Sequence, residues 1–474
     1  MSIGFSLPDN AHNVHDNRYR FIGKKESVDI LSFIMAGGRG TRLKVLTKDT
    51  CKPMVGILGR YKVFDFVASN VTNTGIPVTL IASQFKSERL NEYIGDGRIW
   101  GYDKLCRKLE ILDPCKDEKE MFEGTADSVR KSIEQIDVYN PGIVLVLGSD
   151  HIYAMNYREA IVQHGMTNAD ITVMTSIIPD SKVSNFGIVK TDKHMRIIDF
   201  AEKPKDKDLI EGFRLTPEMK KLLGIDDPHL NFLASMGNYI LFWDRLKRFL
   251  NFPGADFGKD IIPAISENSG NLYAYIFNGY WRDVGRVQDY FECNMDFTNG
   301  RSPIDFQKHR IWTRKSNLPF AQITTGSSIQ STILSPGDVI RSNSSIESCV
   351  LGQQVIIEED CRLDHCVFLG ADDAGLYSSY TKRPRDTRVE RGSSLSRVIL
   401  DSNVWIGESV DIGPHNGTPE ERKEILKSVG LEPYSEHDGD IAKGDFYIEP
   451  DAGILIMGHK NSSGKLVLPD GLKC

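Results

Sequence analysis

The feature of this chain that leaves least freedom to a fold lies in its C-terminal third, where aliphatic residues recur six positions apart. Ile323 and Ile329 form one pair, and Leu334, Ile340 and Ile346 follow in register. Val350 and Ile356 repeat the step, as do Val355, Cys361 and Val367. After an interruption, Val398, Val404 and Val410 run in step with Leu400, Ile406 and Ile412, with Gly, Ser, Asn and other polar residues between. Neither the helical nor the strand period fits this spacing. One aliphatic per six-residue step matches a parallel β-helix, in which each step turns one corner of a triangular coil. An ordinary β-sandwich with accidental spacing is the competing reading, and five runs in step weigh against it. Asp372–Arg391 and Gly413–Phe446 break the period and read as loops projecting from a coil domain that spans 300–474, with Pro419–Val429 a candidate short helix.

The preceding part, 29–299, has a different pattern. Ile30–Met35, Val78–Ala82 and Ile143–Leu147 are short, continuously apolar runs of the kind found in strands buried on both faces. Between them, Tyr61–Asn73, Lys86–Tyr93 and the stretch from Gly124 to Ile136 carry apolar residues at helical spacing. Ile171–Ile178, Gly187–Lys190 and Ile197–Ala201 read as further strands. Alternating strands and helices predict an α/β domain with a doubly wound, mostly parallel sheet. Ligands of such sheets bind beyond the carboxyl ends of the strands. Three polar groups fall there: the glycine turn after Met35, the Ser149-Asp150-His151 turn and the Glu202-Lys203 turn. The stretch after Tyr93 to Lys119 reads as loop-rich, and the blocks from Leu233 onward read as loop and strand-end segments.

The glycine turn, Ala36-Gly37-Gly38-Arg39-Gly40-Thr41-Arg42, lets backbone N–H groups come close to an anion. Arg39, Arg42, Lys44, Lys48 and Lys52 put five cations within fourteen residues. Together these favour a phosphate site over a simple chain reversal. Neither the Walker pattern nor the dinucleotide fingerprint is present. The net charge of −7 argues against general nucleic-acid or anionic-membrane partners, so cations for an anionic substrate must be gathered locally. No apolar run approaches the ~20 residues of a membrane span. The eight cysteines are scattered, Cys361 and Cys366 included, which fits buried apolar positions and a reducing, cytoplasmic setting. Residues 1–28 lack the apolar core of a secretory signal and carry too many acids for a transit peptide, so they read as a flexible arm.

Along the chain stand, in order, Ala-Gly-Gly-Arg-Gly-Thr-Arg-Leu (36–43), Lys52-Pro53, Phe-x-Gly-Thr-Ala-Asp (122–127), Asp-His-Ile-Tyr (150–153), Phe186-Gly187, Glu202-Lys203-Pro204, Ser-Met-Gly (235–237), Phe-Gly-Lys-Asp (257–260) and Trp-Arg-Asp-Val-Gly (281–285). This series resembles the glucose-1-phosphate adenylyltransferase family, over about residues 30–457. The resemblance implies a Rossmann-like nucleotidyltransferase domain followed by a left-handed parallel β-helix. It also implies adenylyl transfer from ATP to α-D-glucose 1-phosphate for glycogen or starch synthesis, and a homotetramer or a heterotetramer with a related subunit.

The nucleophile of that reaction is an ionised phosphate oxygen, which needs no general base. It needs positioning, cations and Mg²⁺, an ion that prefers carboxylate and phosphate oxygens. By resemblance, Asp150 and Asp283 hold Mg²⁺, and Arg42, Lys52 and Asp150 are the catalytic set. Gly37, Gly38, Gly40 and Thr41 surround the nucleotide phosphates, while Gln84, Gly124 and Thr125 face the base or ribose. Lys203 meets the phosphate of glucose 1-phosphate. Glu202 and Ser235 meet sugar hydroxyls, and Phe122, Gly187, Tyr239, Asp256 and Trp281 complete that pocket. Taken alone, either aspartate serves equally as a turn or capping residue, and Glu202-Lys203 equally as a surface ion pair. Two alternatives remain open: a nucleotidyltransferase for another NTP and sugar phosphate, and a non-catalytic regulatory subunit. The presence of Arg42, Lys52, Asp150, Lys203 and Asp283 favours the enzyme.

The chain departs from the family pattern at three places, one of them Glu123, which replaces a residue that is commonly Arg or Gln. Ser149 stands where Gly usually precedes Asp-His, and it either crowds the metal site or adds a hydrogen bond. Asp49-Thr50-Cys51 replaces the usual basic-basic-Ala before Lys-Pro, residues that in bacterial members belong to the allosteric anion site. Activation by sugar phosphates is therefore expected to be weak or altered. An activity assay across an effector panel checks this, and strong stimulation by fructose 1,6-bisphosphate or 3-phosphoglycerate overturns it.

Overall fold

The structure is a computed structural model and describes residues 29–38, 40–112, 121–371, 386–435, 443–458 and 466–474. The arm 1–28, Arg39, most of the 372–391 interruption and the acidic run at 436–440 lie outside the described residues.

The strands before the coil are β1 (Ile30–Ala36), β2 (Gly56–Ile57), β3 (Tyr61–Lys62), β4 (Val78–Ser83), β5 (Lys108–Leu112), β6 (Ile143–Gly148) and β7 (His151–Tyr153). They continue with β8 (Ile171–Pro179), β9 (Gly187–Thr191), β10 (Ile197–Glu202), β11 (Leu230–Phe242), β12 (Leu272–Ile276) and β13 (Trp281–Asp283). β1 lies between β4 and β6, parallel to both, and β5 extends this parallel half at its edge. Leu31, Phe33 and Ile34 of β1 are completely buried, because helices cover both faces of the sheet there. On the other side of β6, β11 runs antiparallel and binds β8 and β9, with β10 and β12 outside them. β7 and β13 form a separate antiparallel ribbon, in which His151 pairs with Asp283.

β5, β11 and β13 fall in segments that the sequence pattern reads as loop or strand end. β5, Lys-Leu-Glu-Ile-Leu, is an edge strand whose charged residues hide the apolar alternation. β11 is the longest strand, but its register slips between Ser235 and Tyr239, so Ser-Met-Gly-Asn interrupts its apolar pattern.

Beyond residue 300 the chain first hugs the sheet domain, where Trp312 N–H donates to Ser69 Oγ at 2.7 Å and Arg314 Nη2 to the Glu92 carbonyl at 2.6 Å. It then winds into three sheets of parallel strands, one per face of the coil, with the Phe446–Ile448 strand added antiparallel at the edge of one. Ile346 pairs with Leu363 and Val350 with Val367, each 17 positions on, so a full turn takes 17 residues rather than three steps of six. The inward column accordingly runs Ile340, Ile346, Leu351, Ile357, Leu363, Phe368, with one step in three shortened to five. Cys349, Val355, Cys361 and Cys366 form a second buried column, so these cysteines are core residues. The coil resumes at Thr387 with the Thr387–Val389 strand, which narrows the first interruption. The second holds the Pro419–Ser428 helix, opened by a Thr418/Glu421 capping box.

One coil face is buried on its outer side as well. Val350, Val367, Ile399 and Ile456 pack with Leu46, Val55, Ile57, Tyr290 and Phe291 of the sheet domain in one apolar cluster. Contact reaches the loop after the glycine turn, Thr41–Thr47: Lys44 lies 5.5 Å from the ring centres of both Tyr434 and Tyr447, and Lys48 Nζ donates to the Gly444 carbonyl at 3.0 Å. Val45 fills the space beside Gly458, where a Cβ would collide with it. Gly458→Ala is therefore expected to destabilise the protein by roughly 1–3 kcal/mol through overpacking, read as a lower melting temperature.

Candidate functional site

The carboxyl ends of β1, β4 and β6 open onto a cavity of about 340 Å³. Its walls include Gly37 and Gly38 after β1, Gln84 after β4, Ser149 and Asp150 after β6, and Lys52, Phe122, Gly124, Thr125 and Asp256. Parallel registers that place Met35 opposite both Ala82 and Gly148 bring these three turns side by side. Gly40 and Thr41 are not among the lining residues. Gly40, at φ 66°, folds over the Lys52 stem instead; a Cβ there would lie 3.0 Å from Lys52 Cβ. Thr41 is exposed at the start of the next turn.

Lys52 is the centre of the charged set. Its side chain is 6% exposed, and its Nζ donates to Asp150 Oδ2 and Asp283 Oδ1, both at 3.0 Å. Burial disfavours the ammonium, but the two carboxylates outweigh that and raise its pKa. For Asp150, burial pushes the carboxyl up while Lys52, His151 and Arg42 pull it down more strongly, well below the usual carboxylate range. Asp150 Oδ1 also lies 3.3 Å from His151 Nε2. Asp150, His151 and Asp283 each offer a donor atom within 4.8 Å of the others, a geometry able to hold a metal ion. Arg42 and Asp283 flank Gly285: a Cβ there would meet Asp283 Oδ1 at 3.0 Å and Arg42 Nη2 at 3.1 Å.

A second group of predicted residues gathers beside the first. Lys203 Nζ lies 3.2 Å from Glu202 Oε1, with the lysine more than half exposed. The Glu202 carboxylate occupies space that only glycine leaves free at both Gly187 and Gly258. Tyr239 packs on Phe257 at 5.1 Å between ring centres; burial first, then the Asp256 and Glu202 charges, keep its phenol protonated, and Ser235 bonds to it. Asp256 accepts from the N–H groups of Gly258 and Lys259 at 2.8 and 3.1 Å, so it caps a turn as well as lining the cavity. Thr125 Oγ1 donates to Asp256 Oδ2 at 3.2 Å, and Gly124 admits the Ala255 carbonyl, which accepts from Ala126 and Asp127. Trp281 joins the two groups, its ring 4.9 Å from Phe186 and 5.3 Å from His151. Gln84 accepts from Phe122 N–H at 2.7 Å and donates to its carbonyl at 3.3 Å, so this amide braces the cavity wall.

Ser149 does not crowd the site: its hydroxyl donates to the Met35 carbonyl at 2.7 Å, tying the β6 turn to the glycine turn. Sequence reasoning missed Asn238, whose Oδ1 accepts from Gly148 N–H at 2.9 Å and whose Nδ2 donates to Tyr153 OH at 3.1 Å. A polar residue between apolar ones in Met236–Leu241 was its only signal. His151 was legible inside its motif but without a role.

A sheet whose strand ends carry this cradle, joined to a coil of parallel strands, is the architecture of a nucleotidyltransferase. Residues 31–300 match the family described as "Nucleotidyl transferase", and residues 316–429 match the "GLGC left-handed parallel beta-helix domain". Glucose-1-phosphate adenylyltransferase of Clostridium acetobutylicum is 36% identical over 329 residues, which is 67% of this chain and 80% of that protein. The proteins of the same name from Thermosipho africanus and Geobacillus stearothermophilus are 36% and 35% identical, over 65% of this chain and 72% and 77% of their own lengths. The chain belongs to the glucose-1-phosphate adenylyltransferase family.

Asn238→Ala leaves the buried Gly148 N–H without its acceptor, and is expected to cost about 1–3 kcal/mol. Thermal melting checks the loss, and turnover is expected to fall with it because Gly148 leads into Asp150.

Proposed function

We propose that this chain transfers the adenylyl group of ATP to α-D-glucose 1-phosphate, releasing pyrophosphate and forming ADP-glucose for glycogen or starch synthesis. Its family supports the reaction, and one observation carries the chemistry: Lys52, Asp150 and Asp283 meet at the mouth of a cavity edged by a glycine turn. The glycine turn offers amides to the nucleotide phosphates, and Arg42 and Lys52 offset their charge as a sugar-phosphate oxygen approaches the α-phosphorus. The adenosine would lie along Gln84, Phe122, Gly124 and Thr125. Glu202, Ser235 and Tyr239 would orient the sugar, with Lys203, more than half exposed beside Glu202, on its phosphate. Tyr239 stays protonated and donates.

The carboxylate pair fits Mg²⁺, which prefers hard oxygen ligands and takes one or two carboxylates beside substrate phosphates. When bound it would supply charge neutralisation at the phosphates. Asp150 and Asp283 would hold it, and the His151 nitrogen, a softer donor, would orient Asp150. A cytoplasmic homotetramer or heterotetramer is part of the same reading. The seven cysteines among the described residues are all free, which supports a reducing setting.

Pyrophosphate release measured with each NTP and sugar phosphate tests the proposal. ATP with glucose 1-phosphate is expected to be the productive pair, and Asp150→Ala to lower turnover by about a thousandfold. No activity with any pair would overturn the reading.

A further inference from the structure

The carboxylates assigned to the metal do not face one another bare. Lys52 Nζ spans them, 3.0 Å from Asp150 Oδ2 and 3.0 Å from Asp283 Oδ1, and no other acceptor among the described residues meets it. The other Asp150 oxygen is turned to His151 Nε2. Lys52 thus uses one oxygen from each ligand that a divalent ion would need. The ammonium also borders the cavity floored by Gly37 and Gly38, so it has space to move toward anything bound there.

We propose that Lys52 is an ammonium gate on the Asp150–Asp283 site: it occupies the carboxylate pair, opposes entry of a bare divalent cation, and leaves when nucleotide phosphates offer it another anionic partner. The proposal rests on the assignment of these aspartates as metal ligands. Charge balance carries it. Two carboxylates and one ammonium leave the cluster with a net charge of −1. A divalent cation added with Lys52 in place makes it positive, in a partly buried cleft where like charges repel. The triphosphate restores the balance only by arriving with the cation, and it draws the ammonium toward the phosphates. Metal and nucleotide therefore enter together, and the empty site stays closed to free ions.

Titration of the full-length protein with Mn²⁺ alone, following the free-ion electron paramagnetic resonance signal, tests this without any turnover. The wild type is expected to bind bare Mn²⁺ only in the millimolar range. Lys52→Met is expected to bind it at least about tenfold more tightly, with the gain lost in Lys52→Met/Asp283→Asn. Lys52→Arg keeps the positive charge and is expected to stay as weak as the wild type. Unchanged affinity in Lys52→Met overturns the gate. Micromolar binding by the wild type overturns it whether or not any variant folds. The pyrophosphate assay separates the two readings: activity with ATP and glucose 1-phosphate alongside a failed Mn²⁺ pattern removes the gate and leaves the function. The expected Mn²⁺ pattern with no activity does the reverse.

Discussion

Two carboxylates held side by side in a partly buried cleft repel each other unless a cation stands between them, and much of this structure serves to place one there. Lys52 reaches Asp150 and Asp283 because three separate pieces of backbone are held in register. β1 and β6 run parallel, so the glycine turn and the Ser149-Asp150 turn leave the sheet together. The β7–β13 ribbon carries Asp283 back opposite His151. Gly40, in a left-handed conformation, lets the chain close over the Lys52 stem. Ser149 and Asn238 then tie the β6 end to β1 and β11 by hydrogen bonds through buried backbone groups.

The coil domain packs against the segments that flank Lys52 in the chain. Its outward-facing aliphatics share an apolar cluster with residues that follow the glycine turn, and its second interruption and the strand that ends it deliver Tyr434, Gly444 and Tyr447 to Lys44 and Lys48. Two of the five cations that make the opening segment look like a phosphate cradle are thus spent on the interface between the domains. Lys48 is buried there, and Lys44 lies against two aromatic rings, a favourable place for a cation. Lys52, by contrast, turns to Asp150 and Asp283 at the cavity. The Asp49-Thr50-Cys51 departure lies between these roles, with Cys51 buried and its thiol pushed up to about 11 by that burial.

Much of the fold was legible in the chain. Continuous apolar runs announce strands buried on both faces, and the six-residue period announces the coil, because each reports a repeating solvent boundary. The pattern failed where that boundary is irregular. β5 is an edge strand and carries charges, while β11 contains a register slip filled by Ser-Met-Gly-Asn. The five-residue step in each coil turn was also missed, and it shows only in the 17-residue pairing register.

The candidate site divides along the same line. By itself the sequence determined which groups are present: a glycine turn, cations after it, and aspartates at strand ends, each tied to local backbone chemistry that a short segment encodes. The tertiary structure decided which of them meet. That Lys52 pairs with Asp150 and Asp283, 98 and 231 positions away, while Lys48 turns to Gly444, depends on strand order and domain packing. Gln84 bracing Phe122, Asp256 capping its own turn and Asn238 holding Gly148 belong to the same class. A side chain's charge is local, but its partner is whatever the assembled sheet brings within hydrogen-bond reach, and no spacing along the chain encodes that.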